Sequence, residues 1–367
     1  MWDKRSDMVV HEVDPYNAEP PPEAIADLPL TPTDAFYSRN HGPVPDIDGR
    51  TWTLRVDGLV GSALDLSLDD LQRRFEPTTV VATLQCAGNR RTGLLAVRDI
   101  PGESPWSGGA TSTASWTGAR LADVLRAAGA EPEETAHVAF EAPDVSRDAH
   151  PAQPYGSSIP LAKGLSGEVL LAWQMNDAPL LPVHGAPVRV VVPGYIGARS
   201  VKWVQRVTVQ AEPSASYFQA VAYRLLPPDA DPANEPGRGF ALGPVALNSD
   251  ILRPRDGDTV PAGSTEVSGY AYAGEGRSVT RVDVSCDDGR TWTQADVAEP
   301  DGPWAWRLWR SVLDLPEGRH RVTVRAWDTT GASQPESAAS LWNPKGYVNN
   351  SWARIELRAE AVRRACL

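Results

Sequence analysis

Cysteine is scarce in this chain: three in 367 residues, Cys86, Cys286 and Cys366, far apart and odd in number. No Cys-X-X-Cys pair and no Cys-X-X-Cys-His run occurs, so a disulfide framework, a zinc ribbon and a c-type haem attachment are all unsupported. Positive charge is also short. Thirty-five Lys and Arg face 47 Asp and Glu, a net charge of −12, and nucleic acid is a poor partner because its phosphates need a basic footprint. No run approaches the about 20 apolar residues of a membrane span. The opening Met1-Trp2-Asp3-Lys4-Arg5 has no apolar signal core, so a cytoplasmic location is expected, and a periplasmic one would require a leader already removed. The closing Arg364-Ala365-Cys366-Leu367 is not a prenylation box, because its cysteine is second from the end. No internal repeat is visible.

What is present describes a globular protein of about two domains. Thirteen tryptophans and 33 prolines accompany many short Val-, Thr- and Trp-rich runs, a pattern of strands and turns rather than long helices. Residues 1–30, polar and proline-rich, are expected to form an extended arm. Residues 31–240 mix strands with helices. Strands are expected at 51–56, 79–84 and 188–192. Helices are expected at 67–74, with Ser67 as N-cap, and at 119–128, ended by Gly129. A turn-rich stretch at about 225–245 marks a boundary. Residues 245–367 then read as strands only, at 266–272, 279–285, 291–295, 305–309, 319–327 and 353–357, the spacing of an immunoglobulin-like sandwich. The fold class is α+β: a mixed α/β domain followed by an all-β one.

The chemistry gathers around Cys86, in the run Thr83-Leu84-Gln85-Cys86-Ala87-Gly88-Asn89-Arg90-Arg91. Two adjacent guanidiniums favour a thiolate, which is either a nucleophile or a metal ligand. Three further clusters combine Arg, His, Ser, Tyr or Lys with glycine and proline: residues 36–45, 154–160 and 184–203. Fork donors from Arg, a point charge from Lys and free backbone amides are what an anionic, phosphate-bearing cofactor needs. Cys286 and Cys366 read as packing residues.

Together these runs resemble the sulfite oxidase family. Arg39-Asn40-His41 with Pro43-Val44-Pro45, Thr83–Arg91, Tyr155-Gly156-Ser157-Ser158-Ile159-Pro160 and Gly197-Ala198-Arg199-Ser200-Val201-Lys202-Trp203 look like its molybdopterin domain. Ala305–Trp309 and Trp342-Asn343 with Gly346 resemble its immunoglobulin-like dimerisation domain. The resemblance implies a molybdenum–molybdopterin cofactor with Cys86 as the protein's metal ligand, a soft thiolate suited to tune a high-valent metal. Arg39 and Arg91 match substrate-pocket arginines, Tyr155 a pocket tyrosine near the metal and Trp106 a pocket-lining tryptophan. His41, His184, Arg189, Arg199, Ser200 and Lys202 match positions gripping the pterin and its phosphate, and Asp144 a further pterin contact.

The implied reaction is oxidation of sulfite to sulfate, with electrons leaving singly to a separate acceptor, a cytochrome or oxygen. The implied assembly is a homodimer through the C-terminal sandwich. Two features depart from the animal enzymes: no haem-binding domain accompanies this chain, and Lys345 stands where they carry a pocket arginine. Lysine keeps the charge but loses the bidentate fork. The alternatives are another oxidoreductase of the same fold, reducing nitrate or a sulfoxide, and a non-catalytic binder of the molybdenum cofactor. Arg90 has no expected role.

Overall fold

The computed structural model describes residues 2–235 and 237–361; Cys366 lies outside them. The expected first helix is present at Leu68–Arg74. Its Ser67 cap is reciprocal: Ser67 Oγ accepts from the Asp70 amide at 3.1 Å, and Asp70 Oδ2 accepts from the Ser67 amide at 3.0 Å. The second helix is Leu121–Ala127, followed by Gly129 in the left-handed region at φ 75°. It begins two residues later than its apolar pattern suggests, because Ala119 and Arg120 complete the ladder of the strand Thr111–Arg120.

Two five-stranded sheets build the first domain. One runs in the order Leu64–Ser67, Thr53–Gly58, Arg206–Gln210, His137–Ser146, Gln153–Pro160; only Arg206–Gln210 against Thr53–Gly58 is parallel. The other runs Ala178–Pro179, Leu170–Met175, Thr111–Arg120, Pro77–Gln85, with Arg189–Val191 paired to Leu170–Met175. A buried core of Leu54, Val56, Leu121, Val138, Phe140, Leu171, Val190 and Val207 holds these elements together.

The C-terminal part is a sandwich of a four-stranded and a five-stranded antiparallel-rich sheet. Alternation reads directly along Ala353–Glu360, whose residues are buried and exposed in turn. Val267, Val284, Trp309, Leu315, Val322, Val324 and Leu357 form its core. The strand expected at 279–285 is found as Val279–Ser285, whereas the one expected at 305–309 is Arg307–Leu315. Trp306 falls out of the strand and packs into the first domain's core, with its ring stacked on Tyr270 at 5.3 Å.

The N-terminal residues are not an extended arm. Val9–Val13 and Tyr16–Glu19 form an antiparallel hairpin, and Pro22–Ala24 a short 3₁₀ turn. Residues Tyr16 to Glu19 are buried. Their polar side chains, which read as solvated, satisfy buried backbone groups instead: Glu19 accepts from the amides of Ser107 at 2.7 Å and Gly109 at 2.9 Å, and Asn17 from that of Asn40 at 2.6 Å. No helix among the described residues is long and apolar enough to cross a membrane.

Candidate active site

The strand Pro77–Gln85 delivers Cys86 at its end, where the chain turns. The Cys86 amide donates to Ala110 O at 2.9 Å, the Asn89 amide donates to Cys86 O at 3.0 Å, and the Gly88 amide lies 3.4 Å from Sγ. The C-terminal domain clamps this turn from outside. The Val348 amide donates to Ala87 O at 2.9 Å, Asn349 Nδ2 to Arg90 O at 2.7 Å, and Asn89 Nδ2 to the Tyr270 hydroxyl at 3.1 Å. A Cβ at Gly88 would lie 2.6 Å from Arg91 Nη2, so any side chain there would displace the Arg91 guanidinium.

A cleft of roughly 610 Å³, counting its solvent-open mouth, lies over Cys86. Of the residues singled out by sequence, Arg39, His41, Cys86, Asp144, Tyr155, His184, Arg189, Ser200 and Lys202 line it. They come from five separate segments. Three carry basic side chains: the guanidiniums of Arg39 and Arg189 and the amine of Lys202. Lys202 Nζ donates to Asn40 Oδ1, to Val183 O at 3.1 Å and to Arg39 O at 3.2 Å, and burial beside Arg189 pushes its ammonium well down. Burial likewise draws Arg189 down to about 10 and holds both His41 and His184 well below the usual imidazole range. His41 meets the Tyr223 hydroxyl at 2.6 Å and stacks on Tyr155, which donates to Ala198 O at 2.7 Å. Ser200 lines the cleft, but its Oγ accepts the Val192 amide at 3.0 Å.

Four expected residues lie elsewhere. Arg199 is buried behind the wall, where its guanidinium serves protein oxygens: Leu242 O, Ser157 Oγ at 2.8 Å and Phe218 O at 3.3 Å. It supports the turn Gly197–Arg199 rather than reaching the cleft. Trp106 is buried against the His11 ring at 4.5 Å, in the cluster that also holds Cys86, and is not a wall residue. Arg91 and Lys345 meet at Glu103, at 3.1 Å and 3.2 Å, outside the cleft lining.

The thiol's surroundings also differ from expectation. Arg91 and Arg39 draw the Cys86 pKa down, but burial outweighs them and pushes the free thiol up. Arg90 turns away, donating to Ser351 O at 2.8 Å and Ser249 O at 3.2 Å. Its role is to tie the two domains.

Tyr37 and Ser38, inside the polar cluster at 36–45, line the cleft wall although the sequence assigned them no individual role, and it singled out neither Tyr223 in the wall nor Lys4 behind it. Ser38 and Tyr37 directly precede Arg39, so the motif's edge was their signal. Tyr223 sits just before the turn-rich stretch and Lys4 in the supposed arm; neither carried one.

The cleft's donor set fits an anionic, phosphate-bearing group. Cations predominate and one carboxylate, Asp144, is pushed up to about 7 by burial. Asp144 Oδ1 and Ser38 Oγ are buried and have no partner among the described residues, although both residues face the cleft; buried polar atoms normally have one. At Gly197 a Cβ would lie 2.6 Å from the Tyr37 hydroxyl, so glycine keeps that wall open. Among the described residues no group of three or more His, Cys, Asp or Glu could hold a metal ion. A metal at Cys86 would therefore take its remaining ligands from a non-protein group.

Residues 41–218 match the oxidoreductase molybdopterin binding domain, and residues 241–360 the Mo-co oxidoreductase dimerisation domain. The chain is 44% identical over 355 residues to the mitochondrial sulfite oxidase of Homo sapiens, covering 94% of this chain and 64% of that protein. It is 45% identical over 357 residues to the sulfite oxidase of Gallus gallus, covering 94% and 76%. Against the sulfite oxidase of Arabidopsis thaliana the figures are 38% over 372 residues, covering 95% and 93%. The solved sulfane dehydrogenase SoxCD of Paracoccus pantotrophus superposes with a TM-score of 0.77 at 27% identity, covering 95% of this chain and 87% of that one.

Proposed function

The chain belongs to the sulfite oxidase family, and from that premise we propose that it oxidises sulfite to sulfate with a bound molybdenum–molybdopterin cofactor. Sulfite and water become sulfate, two protons and two electrons, and the electrons pass singly to an external acceptor, a cytochrome or oxygen. When bound, the molybdenum cofactor supplies two-electron oxygen-atom-transfer chemistry, while the protein supplies binding, orientation and electrostatics.

The observation that carries this reading is the convergence of Cys86 with Arg39, Arg189 and Lys202 on one cleft. Cys86 would hold the metal through its thiolate. Arg189 and Lys202 would neutralise the pterin's phosphate, whose negative charge would in turn favour the protonated form of Lys202. Asp144 and Ser38 would accept or donate hydrogen bonds through atoms that have no partner among the described residues. Arg39 would orient the sulfite anion, and Tyr155 would keep its ring against His41 at the cleft wall. A non-catalytic carrier would need no such oxyanion-binding arginine.

We further place the chain in a homodimer formed by its C-terminal sandwich, a reading supported by the family model matched there. Sedimentation of the purified protein at two concentrations reads this directly.

The reaction is tested on protein produced in a cofactor-competent host, with molybdenum content measured first. Sulfite-dependent reduction of ferricyanide is expected, and nitrate or sulfoxide reduction from a reduced dye is not. Metal-loaded protein that turns over no sulfite would overturn the assignment.

A further inference from the structure

Arg91 is the most heavily committed guanidinium near Cys86. Its Nε donates to Lys345 O at 3.2 Å and Gly346 O at 3.1 Å, its Nη1 to Ser104 O at 2.7 Å, and its face lies 5.3 Å from the Tyr347 ring centroid. Only Nη2 meets an anion, Glu103 Oε2 at 3.1 Å. The other oxygen of the same carboxylate takes Lys345 Nζ at 3.2 Å. One acid thus bridges two cations, one from each domain, and all three side chains are at least three-quarters buried.

This arrangement is what an oxyanion would make if it sat between the same two cations. A carboxylate and a sulfur oxyanion both present two oxygens to a pair of cationic donors. Glu103 also has the means to leave. Gly102, its neighbour, has φ 80°, and a Cβ there would meet nothing within 4 Å, so the turn Pro101-Gly102 has free space around it. Arg91 keeps its own anchors meanwhile, because it donates to three main-chain carbonyls, those of Lys345, Gly346 and Ser104, none of which belongs to Glu103.

We propose that Glu103 is an internal oxyanion surrogate: its carboxylate occupies the Arg91–Lys345 pair, and an oxyanion substrate or product must displace it to engage both cations. Glu103 thereby sets how tightly the site holds sulfur oxyanions and how readily sulfate leaves. Its link to sulfite turnover rests on the function proposed above, but its link to anion binding does not.

The test uses inorganic sulfate as the probe on cofactor-loaded protein, followed by intrinsic tryptophan fluorescence and by the sulfate-dependent rise in melting temperature. Glu103→Gln keeps the shape and removes the charge. It is expected to tighten sulfate by about tenfold, the scale of one like charge removed from a partly buried anion site, and to lower the KM for sulfite in parallel. Should the variant be less stable, its melting temperature is expected to rise more steeply with sulfate than that of the wild type, so the readout survives. Adding Lys345→Gln to Glu103→Gln is expected to cancel most of the gain, which a merely structural role for Glu103 would not produce. Sulfate affinity that is unchanged or weaker in Glu103→Gln overturns the proposal. A wild type without sulfite turnover, alongside a Glu103→Gln variant that binds sulfate more tightly, would overturn the reaction and leave the surrogate standing.

Discussion

The Lys4 ammonium lies 2.6 Å from Nε2 of His184. Its other two protons go to Thr33 O and Phe36 O, each at 2.6 Å. With Lys4 as an ammonium, all three of its protons are used, and His184 then accepts at Nε2 and carries its own proton on Nδ1. The N-terminal segment in this way orients a ring that lines the cleft.

Lys4→Met is expected to leave those acceptors unmatched, at about 1–3 kcal/mol for each buried group. Lower molybdenum retention and a lower melting temperature should follow. A pH signature accompanies them. Burial draws the Lys4 ammonium from 10.5 down to about 7, so between those values the unfolded chain holds a proton that the folded chain has lost. Stability contributed at this site must then rise with pH across that window and level off below it. Denaturant unfolding of wild type and Lys4→Met over the same pH range should show the difference between them growing.

Cys86→Ala is expected to abolish sulfite oxidation and metal retention together, since among the described residues no group of three or more His, Cys, Asp or Glu could hold the metal in its place. Metal analysis is the decisive measurement. Full molybdenum occupancy in the variant would remove Cys86 from the ligand set.

Arg39→Gln is expected to weaken sulfite binding by about 2–4 kcal/mol, the range for one charge lost from a buried pair. Arg39 lines the cleft with Cys86, and one of its donors already goes to Asn40 O. The effect should appear in KM before kcat. An unchanged KM would count against the role.

Arg90→Gln separates the two adjacent arginines. Arg90 Nη1 joins Ser249 O and Ser351 O, and its Nε lies 3.7 Å from Asp250. Removing it leaves a buried carboxylate that burial already pushes up. A stability loss of about 2–4 kcal/mol is expected, with sulfate affinity unaltered. The denaturation midpoint and a sulfate titration read the two effects separately.

Much of the architecture was legible because its signals are local. Ser67 followed by Asp70 announces a cap whatever surrounds it, and the alternation in 353–357 marks a half-buried strand from its own residues. The N-terminal hairpin was not legible. Asn17 and Glu19 look like solvated residues, and only the positions of the Asn40, Ser107 and Gly109 amides, 23 to 90 residues away, make them core. Trp306 shows the same limit: it lies in a strand-like run but packs across the domain boundary, a choice that packing made over propensity.

For the site, residue types alone pointed to a thiolate and an anion-binding cluster, and it was the resemblance of the motifs to the sulfite oxidase family that nominated Cys86, Arg39, His41, Asp144, Tyr155, His184, Arg189 and Lys202 one by one. Direction was decided by tertiary structure alone. Arg90 and Arg91 are neighbours in sequence, yet one guanidinium joins the domains and the other is clamped by Glu103 and Lys345. Arg199 sits in a matching motif and points into the wall. A side chain's partners depend on segments remote in the chain, and electrostatic and hydrogen-bond energies depend on distance and burial, neither of which the order of residues records.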